Sequence, residues 1–170
     1  MMDNHSRPGI IRIHTGKGKG KTTAALGLAL WAASQGQRVY MVQFLKGRET
    51  GESLAIRWLL PNFTLQYFGR RGFISSRTPA AIDHALANEA WKLARQIIRS
   101  GAYDLVILDE IIRVLAYGLL SLEEVLQVLQ ERPPEVDIVL TGRQAQPELI
   151  ALADQVIEMR PVKHYYEAGV

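Results

Sequence analysis

The segment His14-Thr15-Gly16-Lys17-Gly18-Lys19-Gly20-Lys21-Thr22-Thr23 alternates glycine with lysine and closes on hydroxyl residues. That combination suits phosphate chemistry. Glycines let backbone N–H groups curl around phosphate oxygens, where a side chain would block the approach. Lys21 brings a mobile cation. The hydroxyl of Thr22 is a hard oxygen ligand for Mg²⁺, with Mn²⁺ as the alternative ion. Thr15, Gly16, Lys17, Gly18, Lys19, Gly20, Lys21, Thr22 and Thr23 are therefore the candidate nucleotide-binding residues. The usual P-loop spacing places a glycine where this chain has Thr15, and here the glycine comes one residue later, at Gly16.

A second candidate lies in Leu105-Val106-Ile107-Leu108-Asp109-Glu110. An apolar strand ending in acids is the usual metal-orienting partner of a phosphate loop. Consecutive strand residues point to opposite faces, so one acid of the pair is expected to reach the metal. Spacing leaves open which one. The working assignment gives the metal to Thr22 and Glu110, and the catalytic charges to Lys21 and Glu110.

These residues need elements to position them. Gly9–Thr15 carries Ile10, Ile11 and Ile13 and reads as a strand; Thr22–Gln35 reads as a helix stopped by Gly36. A strand followed by a Gly/Lys loop and a helix is the context a P-loop requires, because the helix N-terminus adds its positive end to the phosphate site. Further strands are expected at Val39–Phe44, Thr64–Phe68, Leu105–Leu108, Ile138–Thr141 and Gln155–Met159. A short helix is expected to end at Leu60, before Pro61. Thr78 is the expected N-cap of a helix with Pro79 at its first helical position and an apolar stripe at Ile82, Leu86, Ala90, Leu93 and Ile97. Ser121 and Glu124 form a capping-box pattern before a helix through Gln130. Pro147–Ala153 reads as a short helix. Trp31, Trp58 and Trp91 are expected in the core. Strands alternating with helices imply an α/β fold with a mostly parallel sheet covered on both faces.

The chain has 170 residues and no internal repeat, which fits one domain over residues 9–170 after a polar, disordered start at residues 1–8. It contains no cysteine, which excludes disulfides, Cys-ligated metal sites and a cysteine nucleophile. The formal charge is +3. Arg12, Lys17, Lys19 and Lys21 contribute to it inside the phosphate-binding segment, and only Arg70, Arg71 and Arg77 stand out as further basic candidates. Nucleic acid is therefore not the expected partner. No apolar run is long enough for a membrane span, and the expected location is the cytoplasm.

Several further motifs carry a resemblance: Val42-Gln43-Phe44-Leu45-Lys46-Gly47 with Gly51-Glu52, Thr141-Gly142-Arg143, Glu158-Met159-Arg160-Pro161-Val162-Lys163-His164, and Ala168-Gly169-Val170. With the phosphate loop and Leu108-Asp109-Glu110, they make the chain similar to the ATP:corrinoid adenosyltransferases of the CobA/CobO/BtuR family, from about Gly9 onward. The shifted Gly16 fits that family. The resemblance implies ATP and a reduced corrinoid as substrates, attack of Co(I) on C5′ of ATP, and release of triphosphate. It also implies a three-layer P-loop NTPase (RecA-like) fold, and a homodimer and a flavoprotein reductase as partners. By resemblance, Arg143 joins the nucleotide-binding residues, and Phe73 packs against the corrinoid. Ser75 stands where relatives commonly have Trp, which implies a preference for corrinoids without a tightly held lower ligand. From the loop alone, the alternatives are a RecA-like ATPase or regulatory nucleotide-binding module that has lost corrinoid activity, and a small-molecule kinase.

Overall fold

The computed structural model describes residues 7–49, 51–71 and 78–163. Six parallel strands form one sheet in the order β3-β2-β4-β5-β1-β6. They are β1 (Ile11–Thr15), β2 (Val39–Phe44), β3 (Phe63–Phe68), β4 (Leu105–Asp109), β5 (Asp137–Thr141) and β6 (Gln155–Glu158). The helices are α1 (Lys21–Ser34), α2 (Gly51–Leu59), α3 (Ala81–Ser100), α4 (Ile111–Ala116), α5 (Leu122–Gln130) and α6 (Pro147–Leu152). Parallel neighbours require crossovers, and the helices supply them on both faces.

Strand alternation sorts the core into two layers. Val39 and Met41 of β2, Leu105 and Ile107 of β4, and Val139 of β5 pack with Ala25, Ala29, Ala32 and Ala33 of α1 and Ile56 of α2. Tyr40, Val42, Phe44, Val106, Leu108, Ile138 and Leu140 point the other way, onto Ala90, Trp91 and Ala94 of α3 and onto α4 and α5. The alanines of α1 let that helix lie close against the sheet. β2, β4 and β5 are buried along their whole length, while β6 is an exposed edge.

Some expectations need correction. Trp91 is buried, but Trp31 is 62% exposed on the outer side of α1; the alanines on the inner side of that helix already fill the contact with the sheet. The side chain of Trp58 lies outside the described residues. α3 starts at Ala81 rather than after Thr78, because the carboxylate of Asp83 accepts from the Ala80 N–H at 2.9 Å and serves as the cap. Ser121 does cap α5, accepting from Glu124 N at 3.3 Å. The Glu124 carboxylate, however, turns to Trp91 Nε1 and Arg95, each at 2.9 Å, instead of completing a capping box. The helix α4 has no counterpart in the sequence reading. Among the described residues, no helix is long and apolar enough to cross a membrane.

Candidate functional site

The site lies at the C-terminal ends of the central strands. β1 runs into the Gly/Lys loop, and α1 leaves it. Gly16 has φ 98° and Gly20 has φ 105°, left-handed values that glycine adopts without strain. The loop is braced from β6: Met159 N donates to Thr15 O at 2.8 Å, and Gly18 N donates to Met159 O at 2.7 Å. A Cβ on Gly18 would stand 2.7 Å from that same Met159 oxygen. Gly18 is thus required for close approach, as Gly20 is for the turn.

Lys21 opens α1 and bends back into the curl of the loop. Its ammonium donates to Gly16 O at 2.8 Å and Gly18 O at 2.6 Å. Burial lowers the Lys21 pKa first, the nearby Arg143 guanidinium lowers it further, and Glu110 partly opposes both. Arg143 itself is exposed, in the turn after β5. Lys17, Lys19 and Thr23 are exposed along the loop and the start of α1. Thr15 accepts from Ala145 N at 3.2 Å, tying the loop to that same turn. A cleft of about 660 Å³ opens beside the loop, with Lys17, Gln144, Glu158 and Arg160 in its walls.

The acid pair of β4 meets α1 here. Asp109 is fully buried and receives four donors: Thr22 Oγ1 at 2.8 Å and Thr141 Oγ1 at 2.7 Å on Oδ1, then Gln43 Nε2 at 3.1 Å and Lys46 Nζ at 3.0 Å on Oδ2. Register explains the arrangement. Gln43 pairs with Asp109 across β2 and β4, and His14 pairs with Thr141 across β1 and β5. A polar row therefore crosses the sheet on its α1 face. Lys46 joins it because Leu45, at φ 60°, turns the chain back at the end of β2.

Glu110 behaves differently. It sits at φ 66° between β4 and α4, held by its own N–H to Thr141 Oγ1 at 2.9 Å. Its Oε2 is buried without a hydrogen-bond partner. Burial raises the Glu110 pKa first and Asp109 adds to the rise, while Arg113, Lys46 and Lys21 oppose it. His14 lies in the same layer with Nδ1 3.3 Å from Lys21 O and Nε2 unpartnered; burial holds its pKa down, partly opposed by that backbone contact.

The structure thus brings Thr15, Gly16, Gly18, Lys21, Thr22, Glu110 and Arg143 to one end of the sheet. Phe73 and Ser75 lie outside the described residues. Gln43, Lys46, Thr141, Met159 and His14 stand in the quoted motifs but were not among the expected site residues. The available signal was polar residues at the ends of apolar strands, where a buried amide or hydroxyl needs a partner.

The family model for ATP:corrinoid adenosyltransferase BtuR/CobO/CobP matches residues 7–170. The chain belongs to this family. The corrinoid adenosyltransferase of Escherichia coli K12 is 42% identical over 164 residues, covering 95% of this chain and 82% of that protein. The Pseudomonas aeruginosa corrinoid adenosyltransferase is 39% identical over 163 residues, with 95% and 80% covered. The corrinoid adenosyltransferase CobA of Salmonella typhimurium LT2 is 39% identical over 164 residues, with 95% and 82% covered.

Proposed function

We propose that this chain transfers the 5′-deoxyadenosyl group of ATP to the Co(I) of a corrinoid. The observation that carries the reading is the 2.8 Å bond between Thr22 and Asp109, which joins the Gly/Lys loop of β1 to the acid pair of β4 in a member of this family. The loop acts as a P-loop, and a parallel sheet in which β1 and β4 flank β5 supports a RecA-like reading of the fold.

The donor set fits a hard cation. The Thr22 hydroxyl spends its proton on Asp109, which leaves its oxygen lone pairs for a ligand, and Glu110 has a buried carboxylate oxygen with no other partner. Thr22 and Glu110 would hold Mg²⁺, or Mn²⁺, while Asp109 orients Thr22. When bound, the ion supplies positive charge to the phosphate oxygens.

The chain's own residues account for the rest. The Lys21 ammonium trades the carbonyls of Gly16 and Gly18 for phosphate oxygens. The loop N–H groups and Arg143 add donors. Together they stabilise the charge gathering on triphosphate as the C5′–O bond breaks and the cobalt–carbon bond forms. The corrinoid cobalt is itself the nucleophile, so the reaction needs no protein base. Phe73 is the proposed corrinoid contact. A homodimer, a flavoprotein reductase and a cytoplasmic location complete the reading.

The test is incubation with ATP, a strong reductant and either cob(II)alamin or cob(II)inamide. A light-sensitive cobalt–carbon product and intact triphosphate by phosphorus NMR are expected. ADP and orthophosphate as the only products would overturn the reading in favour of an ATPase. Faster turnover of cobinamide is expected from Ser75.

A further inference from the structure

One arginine beside the acid pair has a fixed orientation and open ends. α4 starts from Glu110, and Arg113 N donates to Glu110 O at 3.1 Å, so Arg113 stands one turn after that acid. Ile111, Ile112, Val114 and Leu115 turn into the core. Arg113 lies on the other side of the helix with Tyr117, four residues on, and both are half-buried. The Arg113 Nε donates to Tyr117 Oη at 2.7 Å, and its Cζ lies 5.2 Å from the centre of the same ring. Tyr117 N donates back to Arg113 O at 3.0 Å. The guanidinium is therefore held by its inner nitrogen.

Arg70 and Arg95 end on the carboxylates of Asp83 and Glu124. Nη1 and Nη2 of Arg113, by contrast, have no hydrogen-bond partner among the described residues. Burial raises the Glu110 pKa first and Asp109 adds to it; Arg113 leads Lys46 and Lys21 in opposing them. Glu110 Oε2 still lacks a hydrogen-bond partner, so the ends of Arg113 do not close on it. The backbone fixes the same neighbourhood. A Cβ on Gly142 would stand 2.7 Å from Ile112 Cβ and 3.0 Å from Arg113 N. The first turn of α4 thus lies against the turn that carries Arg143. Burial lowers the Lys21 pKa first and the Arg143 charge adds to it, which puts Arg143 beside the cation of the loop. Glu110, Arg113, Arg143 and Lys21 converge on one end of the sheet.

We propose that Arg113, aimed by Tyr117, is a further catalytic residue whose open Nη groups grip the triphosphate of ATP from the α4 side. This rests on the reading of the chain as a corrinoid adenosyltransferase. When the C5′–O bond breaks, its electron pair stays on the phosphate oxygen, while cobalt supplies the pair for the cobalt–carbon bond. The triphosphate therefore leaves with one more negative charge than it carried within ATP. A cation already oriented at that position stabilises the added charge without moving. A guanidinium suits the task because its planar fork meets two phosphate oxygens at once, where an ammonium offers a point charge. The Gly/Lys loop and Lys21 hold the polyphosphate from the β1 side, and Arg113 closes it from the β4 side, across Glu110.

The test measures binding of inorganic triphosphate with Mg²⁺ by isothermal calorimetry. It compares the unmodified protein with Arg113→Met, Arg113→Lys and Tyr117→Phe, with melting temperatures recorded. Arg113→Met should weaken binding at least about tenfold, the size of one lost charge-assisted bond. Arg113→Lys keeps the charge without the fork, and Tyr117→Phe keeps the fork without the tether, so each should fall between. The rate of cobalt–carbon bond formation at saturating ATP and cob(I)alamin should drop in the same order. Unchanged triphosphate affinity in folded Arg113→Met overturns the assignment. So does an Arg113→Lys as weak as Arg113→Met, since packing rather than charge would then be responsible. If Arg113→Met does not fold, Arg113→Lys decides alone: its triphosphate affinity must fall below that of the parent, and equality overturns the assignment. Triphosphate binding needs no corrinoid. An unmodified protein that binds triphosphate through Arg113 yet forms no cobalt–carbon bond would therefore defeat the reading of the enzyme and leave this contact standing.

Discussion

Replacing Asp109 with Asn tests whether this carboxylate organises the metal side of the site. An amide cannot accept on both ends. With its NH₂ toward Lys46 and Gln43 it would face two donors, so it should turn the NH₂ to Thr22 and Thr141 and the carbonyl to Lys46. The hydroxyls can then accept, and Thr22 spends a lone pair that a cation would use. The charge of Lys46 also loses its partner. Removing one member of a buried ion pair costs about 3–5 kcal/mol. The Lys46 side chain is 28% exposed and regains some hydration, so about 2–3 kcal/mol is the expected loss. For a domain of this size that lowers Tm by roughly 4–12 °C. The Mg²⁺ concentration needed for half-maximal ATP binding should rise at least about tenfold, the usual effect of losing an outer partner of a metal ligand. Differential scanning calorimetry and Mg²⁺ titrations by isothermal calorimetry measure the two effects. A Tm within about 1 °C of the parent, with an unmoved Mg²⁺ midpoint, would refute the reasoning.

Glu110→Gln should separate stability from activity. The folded-state pKa of Glu110 lies above its ordinary value, so the fold favours the protonated form and stability declines as pH climbs from the ordinary value through the raised one. The ligand-free variant should therefore melt higher than the parent at pH 8, with the difference vanishing in acid, while Mg²⁺-dependent turnover falls; a lower Tm at pH 8 would contradict this. Lys21→Ala should remove detectable MgATP binding in calorimetry, because it deletes the cation in the curl of the loop. Gly18→Ala should weaken ATP binding by at least about tenfold with little loss of α1 helicity by circular dichroism, since its Cβ would press on the Met159 carbonyl and open the brace; unchanged affinity would show that the brace is dispensable.

The sequence exposed what local chemistry dictates. The Gly/Lys loop, its strand and its helix are legible because few other structures need glycines and lysines in that order, and α1 lies within one residue of its expected span. Strand positions followed from apolar runs. What stayed hidden depends on register. That Gln43, Asp109, Thr141 and His14 share one row is fixed by which strands are neighbours and how they align, and neither is written in any short window. The Met159 brace was hidden for the same reason. α4 escaped because Ile111–Ala116 is too short to show a helical period, and its start depends on the left-handed Glu110. Trp31 misled because composition says that a tryptophan is usually buried, not which side of a helix it occupies.

The place of β1 in the sheet has a consequence for the order of assembly. Its two neighbours are β5 and β6, the last two strands in sequence. A chain leaving the ribosome exposes the Gly/Lys loop early, yet β2, β3 and β4 can pair among themselves long before β1 has a partner. The loop gains its shape only when Met159 arrives to accept from Gly18. The most local motif in the sequence therefore matures through the most distant contacts, which are slow to form. Until translation reaches β6, the proposed ATP cradle is unfinished, and the nascent chain must keep an unpaired apolar strand from finding the wrong partner.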